Sequence, residues 1–308
     1  MSNANMYKAR KAKNDEFYTK IVDVSNEMKY YKKYFKDKIV YCNCDDPRWS
    51  AFWEYFHLNF AELGLKKLIS THYDKNEPTY RMEYTGGGDN DIEVGIKTPL
   101  EGNGDFRNQE CLDLLDEADI VVTNPPFSLF REYVASLMKY KKKFIIIGNK
   151  NAITYKNFFP FLKDNEVWIG HTHPSEFDTP NGVTKNLEGL CCWFTNLGVA
   201  KRPEKLILQK MYVPEEYPRY DNYDAVEVSK VADIPIDYDG VMGVPISFIE
   251  KYDPNQFEII GLDRDTVPKE FLVGGRLAID GKTKYCRILI RAHQKNMHRD
   301  CYFKDDVV

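Results

Sequence analysis

The sequence contains no apolar stretch of the ~20 residues that a membrane-spanning helix needs, and its N-terminus has no apolar signal region. It also lacks the paired cysteine spacing of a disulfide framework, because its seven cysteines are an odd number at irregular intervals. These absences argue against a membrane protein and against a small disulfide-stabilised secreted domain. We therefore expect a cytoplasmic protein with reduced thiols.

Basic residues are not in excess either. The 308-residue chain has a formal net charge of -4, which argues mildly against a nucleic-acid partner. Phosphate contacts need only a local basic face, and candidate basic runs occur at residues 8–13, 29–33, 139–143 and 291–299. Each run is explained equally well as a solvated surface, so the composition permits DNA binding without predicting it.

The first two hundred residues alternate between strand-like and helix-like segments. Apolar runs at residues 38–43, 65–71, 119–123 and 143–148 predict strands, and residues 49–63 place large apolar side chains at helical spacing. Strands that alternate with helices predict a doubly wound, parallel α/β sheet. In such a sheet, ligands bind at the carboxyl ends of the strands.

This α/β domain is expected to occupy residues 5–200. Four further segments are assigned to it: residues 92–97, 158–163, 166–170 and 190–195. The 92–97 segment follows a run of three glycines, which indicates a turn before a strand.

The chain changes character after about residue 203, where tyrosine, aspartate and proline become frequent. Few long helical patterns occur in this part. Residues 276–279 and 283–291 are apolar segments on either side of Asp280-Gly281, a dipeptide typical of hairpin turns. We therefore predict a second, irregular α+β region at residues 201–308 that ends in a β-hairpin.

The apolar run 120–123 stops at Asn124-Pro125-Pro126-Phe127. Two consecutive prolines remove two backbone donors and fix two φ angles, so the strand ends in a rigid tip. An amide before this tip and a ring after it can hold a planar, amino-bearing group. The tip resembles the catalytic motif of S-adenosylmethionine-dependent methyltransferases that act on exocyclic or amide nitrogens. The alternative is a loop in which Pro-Pro starts a helix and Phe127 belongs to the core.

Candidate cofactor residues follow the other predicted strands. A methyl-donor site needs a loop that admits the methionine part, a carboxylate for the ribose, and a polar group with an apolar wall for the adenine. The alternatives are helix capping near Trp49 and ordinary turn chemistry. The candidates in these loops are Asn43, Asp45, Asp46, Asp74, Asp105 and Phe106, together with Asn124.

Phe17-Tyr18-Thr19 lies upstream of the first predicted strand. It resembles the methyltransferase segment that closes over the methionine part of the cofactor, although a helix cap with two aromatic core residues would explain it too. His171 and His173, and likewise Cys42 and Cys44, lack the paired spacing of a structural zinc site. We predict no metal site.

Five segments together resemble the EcoRI-type adenine-specific DNA methyltransferase family: residues 13–19, 41–50, 124–127, 220–225 and 237–246. The similarity extends over nearly the whole chain. It implies a Rossmann-like methyltransferase sheet, S-adenosylmethionine as cofactor, and N6-adenine methylation of double-stranded DNA. The motif order matches the γ arrangement, which places target recognition after the catalytic tip. A monomer or weak dimer is expected, and a cognate restriction endonuclease would form no stable complex with it.

The mechanism expected for this family fits the tip. The Asn124 side-chain oxygen and the Pro125 carbonyl would accept hydrogen bonds from the adenine amino group, and Phe127 would stack on the flipped base. One departure stands out, because residues 46–52 replace the usual glycine-rich loop and close backbone approach to the cofactor is then less assured. Two alternatives stay open: the same chemistry on an RNA base or a protein glutamine, and a catalytically silent DNA-binding or cofactor-sensing protein.

Overall fold

The computed structural model describes residues 18–88, 90–179, 183–198 and 204–293. These residues form two compact units. The first unit comprises the chain up to residue 158 together with residues 167–199, and the second unit comprises residues 159–166 and the chain from residue 200 onward. Residues 159–163, expected in the sheet domain, therefore belong to the second unit.

The first unit carries the larger sheet and most of the helices. Its helices are α1 (Ile21–Met28), α2 (Ala51–Leu58), α3 (Phe60–Leu63), α4 (Gln109–Glu117) and α5 (Phe130–Lys139). Its strands are β1 (Tyr18–Thr19), β2 (Ile39–Cys42), β3 (Lys67–Thr71), β4 (Tyr80–Tyr84), β5 (Ile96–Pro99), β6 (Ile120–Thr123), β7 (Lys143–Asn149), β8 (Trp168–Ile169), β9 (Glu176–Asp178), β10 (Thr184–Asn186) and β11 (Cys191–Thr195).

Eight strands of this unit form one sheet in the order β5-β4-β3-β2-β6-β7-β11-β8. The four central strands are parallel, whereas β4, β5 and β11 pair antiparallel to their neighbours. The α/β class is confirmed, but the expectation of a parallel sheet was wrong at its edges. The links from β3 to β4 and from β4 to β5 contain no helix, and a strand cannot re-enter in parallel without a long crossover connection.

The central strands and the helix after β2 explain why the apolar runs lie where they do. Every residue of β2 and β6 is buried, as expected for parallel strands covered on both faces. Ser50 caps α2 by accepting hydrogen bonds from the backbone N–H groups of Phe52 and Trp53. The predicted helix at 49–63 is two helices, and the second ends at Gly64, whose φ of 64° is left-handed.

A small sheet in the order β1-β9-β10 lies in the same unit. Tyr18 and Thr19 of β1 pair with β9. The segment that leads into β9 is held by Glu27 of α1, which is fully buried. The Glu27 carboxylate accepts hydrogen bonds from the backbone N–H groups of His171 and Thr172, at 2.8 and 2.6 Å, and from the hydroxyl of Tyr31 at 2.8 Å.

The second unit combines short helices with two small sheets. Its elements are α6 (Phe159–Lys163), β12 (Val226–Glu227), β13 (Met242–Pro245), β14 (Phe257–Leu262), α7 (Asp263–Thr266), β15 (Ala278–Ile279), β16 (Lys282–Thr283) and β17 (Arg287–Ala292). One sheet has the order β12-β13-β17-β14, and the other is the pair β15-β16.

The predicted hairpin exists but is shorter than expected. Asp280 and Gly281 have φ angles of 50° and 70°, the double positive φ of a type I′ turn, and they join β15 to β16. Residues 287–291, predicted to belong to the hairpin, instead lie in β17 (Arg287–Ala292), between β13 and β14. Ile288, Leu289 and Ile290 are fully buried, so these side chains are better covered inside the four-stranded sheet. Within the described ranges, no helix is long and apolar enough to cross a membrane.

The fold makes a prediction about Glu27. Replacing Glu27 by alanine leaves two partly buried backbone N–H groups and the buried Tyr31 hydroxyl without their acceptor, which should lower the free energy of unfolding by about 3 kcal/mol. Glu62→Ala is the matched control, because it removes an exposed carboxylate paired with Lys32 and should cost less than ~1 kcal/mol. Urea denaturation of both variants measures the difference. Equal losses in the two variants would contradict the anchoring role of Glu27.

Candidate cofactor and catalytic cleft

A cleft opens at the carboxyl ends of β2 and β6, the two strands at the centre of the sheet. The chain proceeds from β2 to β3 on one side and from β6 to β7 on the other, so the loops that leave β2 and β6 diverge. This is the topological switch point at which α/β sheets bind ligands. The cleft has a volume of about 660 Å³, within the range of ~300–1,000 Å³ usual for small-molecule sites.

Most of the predicted site residues lie together in this cleft. Its lining includes Tyr18, Thr19, Asn43, Asp45, Asp46, Asp74, Asp105, Phe106, Asn124, Pro125 and Pro126. Phe17 lies outside the described residues. Phe127 is placed differently: only 6% of it is exposed, and it packs in the hydrophobic core of the first unit. The position of the ring thus agrees with the alternative of a core residue, whereas Asn124 and both prolines face the cleft.

Asp45 joins the loop after β2 to the end of β6. Its carboxylate accepts hydrogen bonds from the hydroxyl of Ser50 at 3.0 Å and from the hydroxyl of Thr123, the last residue of β6. It also accepts one from the backbone N–H of Asn124. The backbone N–H of Asp45 donates to the carbonyl of Thr71 at the end of β3. One buried residue therefore joins the ends of β2, β3 and β6 through its side chain and its backbone.

Burial raises the pKa of Asp45 to about 7, although the hydrogen bonds from Thr123 and Ser50 partly oppose the rise. The physical cause is desolvation, which penalises the charged form of a carboxyl more than its neutral form. Its protonation state thus changes near neutral pH.

Asp46 makes a different set of contacts from its neighbour. Its carboxylate is held by the Arg48 side chain, with the shortest contact 2.6 Å, and by the hydroxyl of Tyr80 at 3.1 Å; His72 lies 3.5 Å away. Burial alone would raise the pKa of Asp46, but the hydrogen bonds from Arg48 outweigh it and the pKa is lowered. Asp46 therefore carries a negative charge in the cleft at neutral pH.

The loop after β2 needs no glycine. None of residues 43–50 has a positive φ, and the turn is closed by the backbone N–H groups of Trp49 and Ser50, which donate to the Asp46 carbonyl at 3.2 and 2.9 Å. Arg48 donates its backbone N–H to the Asp46 side chain as well. The backbone carbonyl and the side chain of Asp46 thus shape this loop without a glycine. The side-chain oxygen of Asn43 accepts a hydrogen bond from the hydroxyl of the buried Tyr133.

Asp105 and Asp74 occupy the opposite wall. Arg107 donates to both carboxylate oxygens of Asp105, at 2.8 and 2.6 Å, and also reaches Glu132 at 2.9 Å. These hydrogen bonds lower the pKa of Asp105. Asp74 accepts hydrogen bonds from the backbone N–H groups of Asn76 and Glu77, which is the ordinary turn chemistry that its position also allowed.

Gly104 allows the loop that carries Asp105 to approach the loop that carries Asp74. Its φ is 71°, and a Cβ there would lie 1.9 Å from the carbonyl oxygen of His72. No other residue allows the loop before α4 to approach the loop after β3 so closely. Close contact between the loops places Asp74 and Asp105 in one cleft.

Several lining residues were not identified from the sequence: Arg48, Trp49, His72, Tyr73, Lys75 and Arg107. Trp49 is the most conspicuous, because half of this large ring is exposed. The Arg48 guanidinium lies over it at 4.3 Å, and Tyr18 meets it edge-on at 6.2 Å. The sequence signal for Trp49 was its position as an aromatic residue within the loop that lacks glycine. In the described residues, no group of three or more His, Cys, Asp or Glu side chains could hold a metal ion.

This mixed α/β sheet, with an Asn-Pro-Pro tip and carboxylates at its switch point, has the architecture of a methyltransferase. The model of the family described as adenine-specific methyltransferase EcoRI matches residues 5–302. The chain therefore belongs to that family. No solved structure matches it.

Three curated relatives are described as Type II methyltransferases. The chain is 44% identical to Type II methyltransferase M.EcoRI of Escherichia coli, over 94% of this chain and 97% of the relative. It is 36% identical to Type II methyltransferases M.MgeORF184P of Mycoplasma genitalium and M.MpnI of Mycoplasma pneumoniae, each over 93% of this chain and 98% of the relative. The prediction of a site-specific DNA adenine methyltransferase is thereby confirmed.

The raised pKa of Asp45 predicts how stability changes with pH. The folded protein keeps a proton on Asp45 up to about pH 7, whereas an unfolded chain releases it near pH ~4. The contribution of Asp45 to the free energy of unfolding therefore falls as the pH rises from ~4 to 7, by at most ~1.4 kcal/mol per pH unit, and is constant above.

Asp45→Asn cannot ionise and should lack this decline. Urea denaturation at pH 5, 6, 7 and 8 compares the two proteins, and the variant should gain stability relative to the native protein as the pH rises to 7. Asp113→Asn, an exposed carboxyl on α4, is the control. Parallel pH profiles for the native protein and Asp45→Asn would show that burial does not perturb this group.

Proposed function

We propose that the chain transfers a methyl group from S-adenosylmethionine to N6 of an adenine flipped out of duplex DNA. The first unit would be a Rossmann-like methyltransferase core, and residues 201–308 the target-recognition region. The observation that carries the proposal is the single cleft shared by the Asn124-Pro125-Pro126 tip and the carboxylate-bearing loops. A cleft of this kind can hold a methyl donor and its acceptor side by side.

The cleft residues fit S-adenosylmethionine in charge and in shape. The cofactor carries a sulfonium, an ammonium, a ribose and an adenine, and when bound it supplies an electrophilic methyl group. Asp46 and Asp105, both with lowered pKa values, would accept hydrogen bonds from the ribose or the ammonium. Trp49 and Phe106 offer apolar faces for the adenine. Tyr18, Thr19, Asn43, Asp45 and Asp74 would complete the wall, as would Phe17, which lies outside the described residues.

The tip would activate the base. The lone pair of the adenine N6 amino group is delocalised into the ring, so the nitrogen is a weak nucleophile. Hydrogen bonds from its two N–H groups to the Asn124 oxygen and the Pro125 carbonyl would favour a tetrahedral nitrogen with a localised lone pair. Such acceptors accelerate the reaction because they bind the transition state better than the ground state. Alignment of the nitrogen with the methyl group supplies much of the remainder.

Adenine specificity of the family argues against a protein glutamine, and the Type II description of the relatives favours DNA over an RNA base. Double-stranded DNA, a cytoplasmic location, a monomer or weak dimer, and a cognate restriction endonuclease without a stable complex stay predictions. Methylation of heterogeneous duplex DNA with a labelled methyl donor, followed by mapping of the modified adenines, tests reaction, substrate and site together. A silent binding protein would take up S-adenosylmethionine in calorimetry without modifying any adenine.

Asn124→Ala should separate catalysis from cofactor binding. Loss of the side-chain acceptor should lower kcat at least ~100-fold, the usual cost of removing one preorganised catalytic hydrogen bond. Affinity for S-adenosylmethionine, measured by calorimetry, should stay near that of the native protein. Asn151→Ala, an exposed amide after β7 in the same unit, is the control. A large loss of cofactor affinity in Asn124→Ala would make Asn124 a structural residue.

Phe127 requires a test that separates stacking from packing. Alanine would leave a cavity, and truncation of a buried phenylalanine costs ~3–5 kcal/mol, so leucine is the better substitution. If the ring turns to stack on the flipped base, Phe127→Leu should reduce methylation of a paired adenine more than that of a mismatched adenine, since only the paired base must be unstacked and unpaired at full cost. Phe127→Tyr should retain activity on both. Equal losses on the two substrates would assign the ring to the core alone.

A further inference from the structure

The segment at residues 220–225 is not explained by the catalytic cleft. In the structure, two of its side chains hold a neighbouring segment of the second unit. Asp221 accepts hydrogen bonds from the backbone N–H groups of Asp280 and Gly281, at 3.1 and 2.8 Å. Asn222 donates to the carbonyls of Phe271 and Arg276, at 2.7 and 3.1 Å, and accepts from the N–H of Ala278 at 3.1 Å.

These bonds fix the geometry of residues 269–285, here called the braced segment, which contains the β15-β16 hairpin. Leu277 and Ala278 are fully buried, and Leu277 packs with Tyr220 and Leu289 in a small core. One side of the segment is therefore anchored. Asp221 holds the turn, and Asn222 holds the part of the segment before the turn. These hydrogen bonds and the burial of Leu277 fix the conformation of the segment.

The other side of the braced segment presents apolar rings to solvent. Tyr285 is 87% exposed and Phe271 is 58% exposed. Aromatic rings this exposed contribute little to folding, and they are available for contact with a partner. The segment also carries four basic residues against two acidic ones: Lys269, Arg276, Lys282 and Lys284, against Glu270 and Asp280.

We infer that the braced segment contacts the duplex, with Lys282 against a phosphate and the Tyr285 ring against a sugar or an unstacked base. The inference deepens the proposed function, on which it rests. Three features favour DNA over a protein surface: the local positive charge in a chain of net charge -4, the combination of lysine with aromatic rings, and a two-stranded ribbon, which the major groove admits. Rigid bracing lowers the entropy lost on binding.

Lys282→Ala and Tyr285→Ala in the full chain test the inference, with Lys66→Ala as control. Lys66 lies in none of the four basic runs of the sequence; it is exposed directly before the amino end of β3, on the edge of the sheet opposite the cleft. The probe is a fluorescein-labelled duplex built around an adenine that the native protein has been shown to methylate, and a scrambled duplex of the same length. Fluorescence anisotropy at several salt concentrations gives the affinities.

Tyr285→Ala should weaken binding of the methylated-site duplex about tenfold, the scale of one lost stacking contact. Lys282→Ala should weaken binding to both duplexes alike and reduce the slope of log affinity against log salt by about 1. Lys66→Ala should change neither the affinities nor the salt slope. Thermal unfolding and calorimetric affinity for S-adenosylmethionine should be the same in all four proteins, because the substituted side chains are solvent-exposed.

Unchanged duplex affinity and salt slope in both variants would overturn the inference, and a change confined to self-association would assign the segment to a protein contact instead. If duplex affinity and salt slope are unchanged in both variants while the native protein methylates the mapped adenine, the inference fails and the proposed function stands. Failure of the native protein to methylate any duplex adenine would overturn the proposed function itself. Asp221→Ala keeps both contact side chains but removes the acceptors at the turn, and it should weaken duplex binding by a smaller factor.

Discussion

The hydrogen bonds of one buried carboxylate hold the site together. Asp45 binds the end of β6 through Thr123 and Asn124, and its backbone reaches the end of β3. The Asn-Pro-Pro tip leaves the sheet directly from this junction, so the position of the proposed acceptors depends on a group that need not touch the base. Burial of an unpaired charge costs free energy. The Asp45 carboxyl reduces this cost in two ways: it accepts hydrogen bonds from Ser50, Thr123 and Asn124, and its raised pKa favours the neutral form.

The cofactor loop illustrates how different sequences build one geometry. Glycine-rich loops admit a ligand because their backbone adopts positive φ angles, whereas residues 43–50 remain at negative φ and turn around the Asp46 side chain and carbonyl. This arrangement places Arg48 and Trp49 in the cleft, side chains that a glycine loop would not supply. Charge and an aromatic surface thus take the place of backbone proximity.

Much of the site could be predicted because the point at which a strand ends is set by residues that are neighbours in the sequence. The apolar run before Asn124 and the prolines after it locate the tip, and carboxylates after other strands follow from the same reasoning. Contacts across the fold could not be predicted in this way, since Asp45 and Thr123 are far apart in sequence. The antiparallel edge strands and the inclusion of residues 287–292 in the four-stranded sheet of the second unit depend on which strand a segment pairs with. The burial of the Phe127 ring depends on side chains that are distant in the sequence. The alternation of apolar and polar residues over Tyr80–Tyr84, which matches the alternating burial of β4, is the sequence pattern that indicates this edge strand.

The wall formed by Tyr18 and Thr19 belongs to a different sheet from the rest of the cleft. Strand β1 pairs with β9 over two residues, supplemented by the ion pair of Lys20 with Asp178, whereas the tip and the loop after β2 leave the central strands of the eight-stranded sheet. A substitution in the small sheet can therefore alter this wall and leave intact the hydrogen bonds that hold the tip.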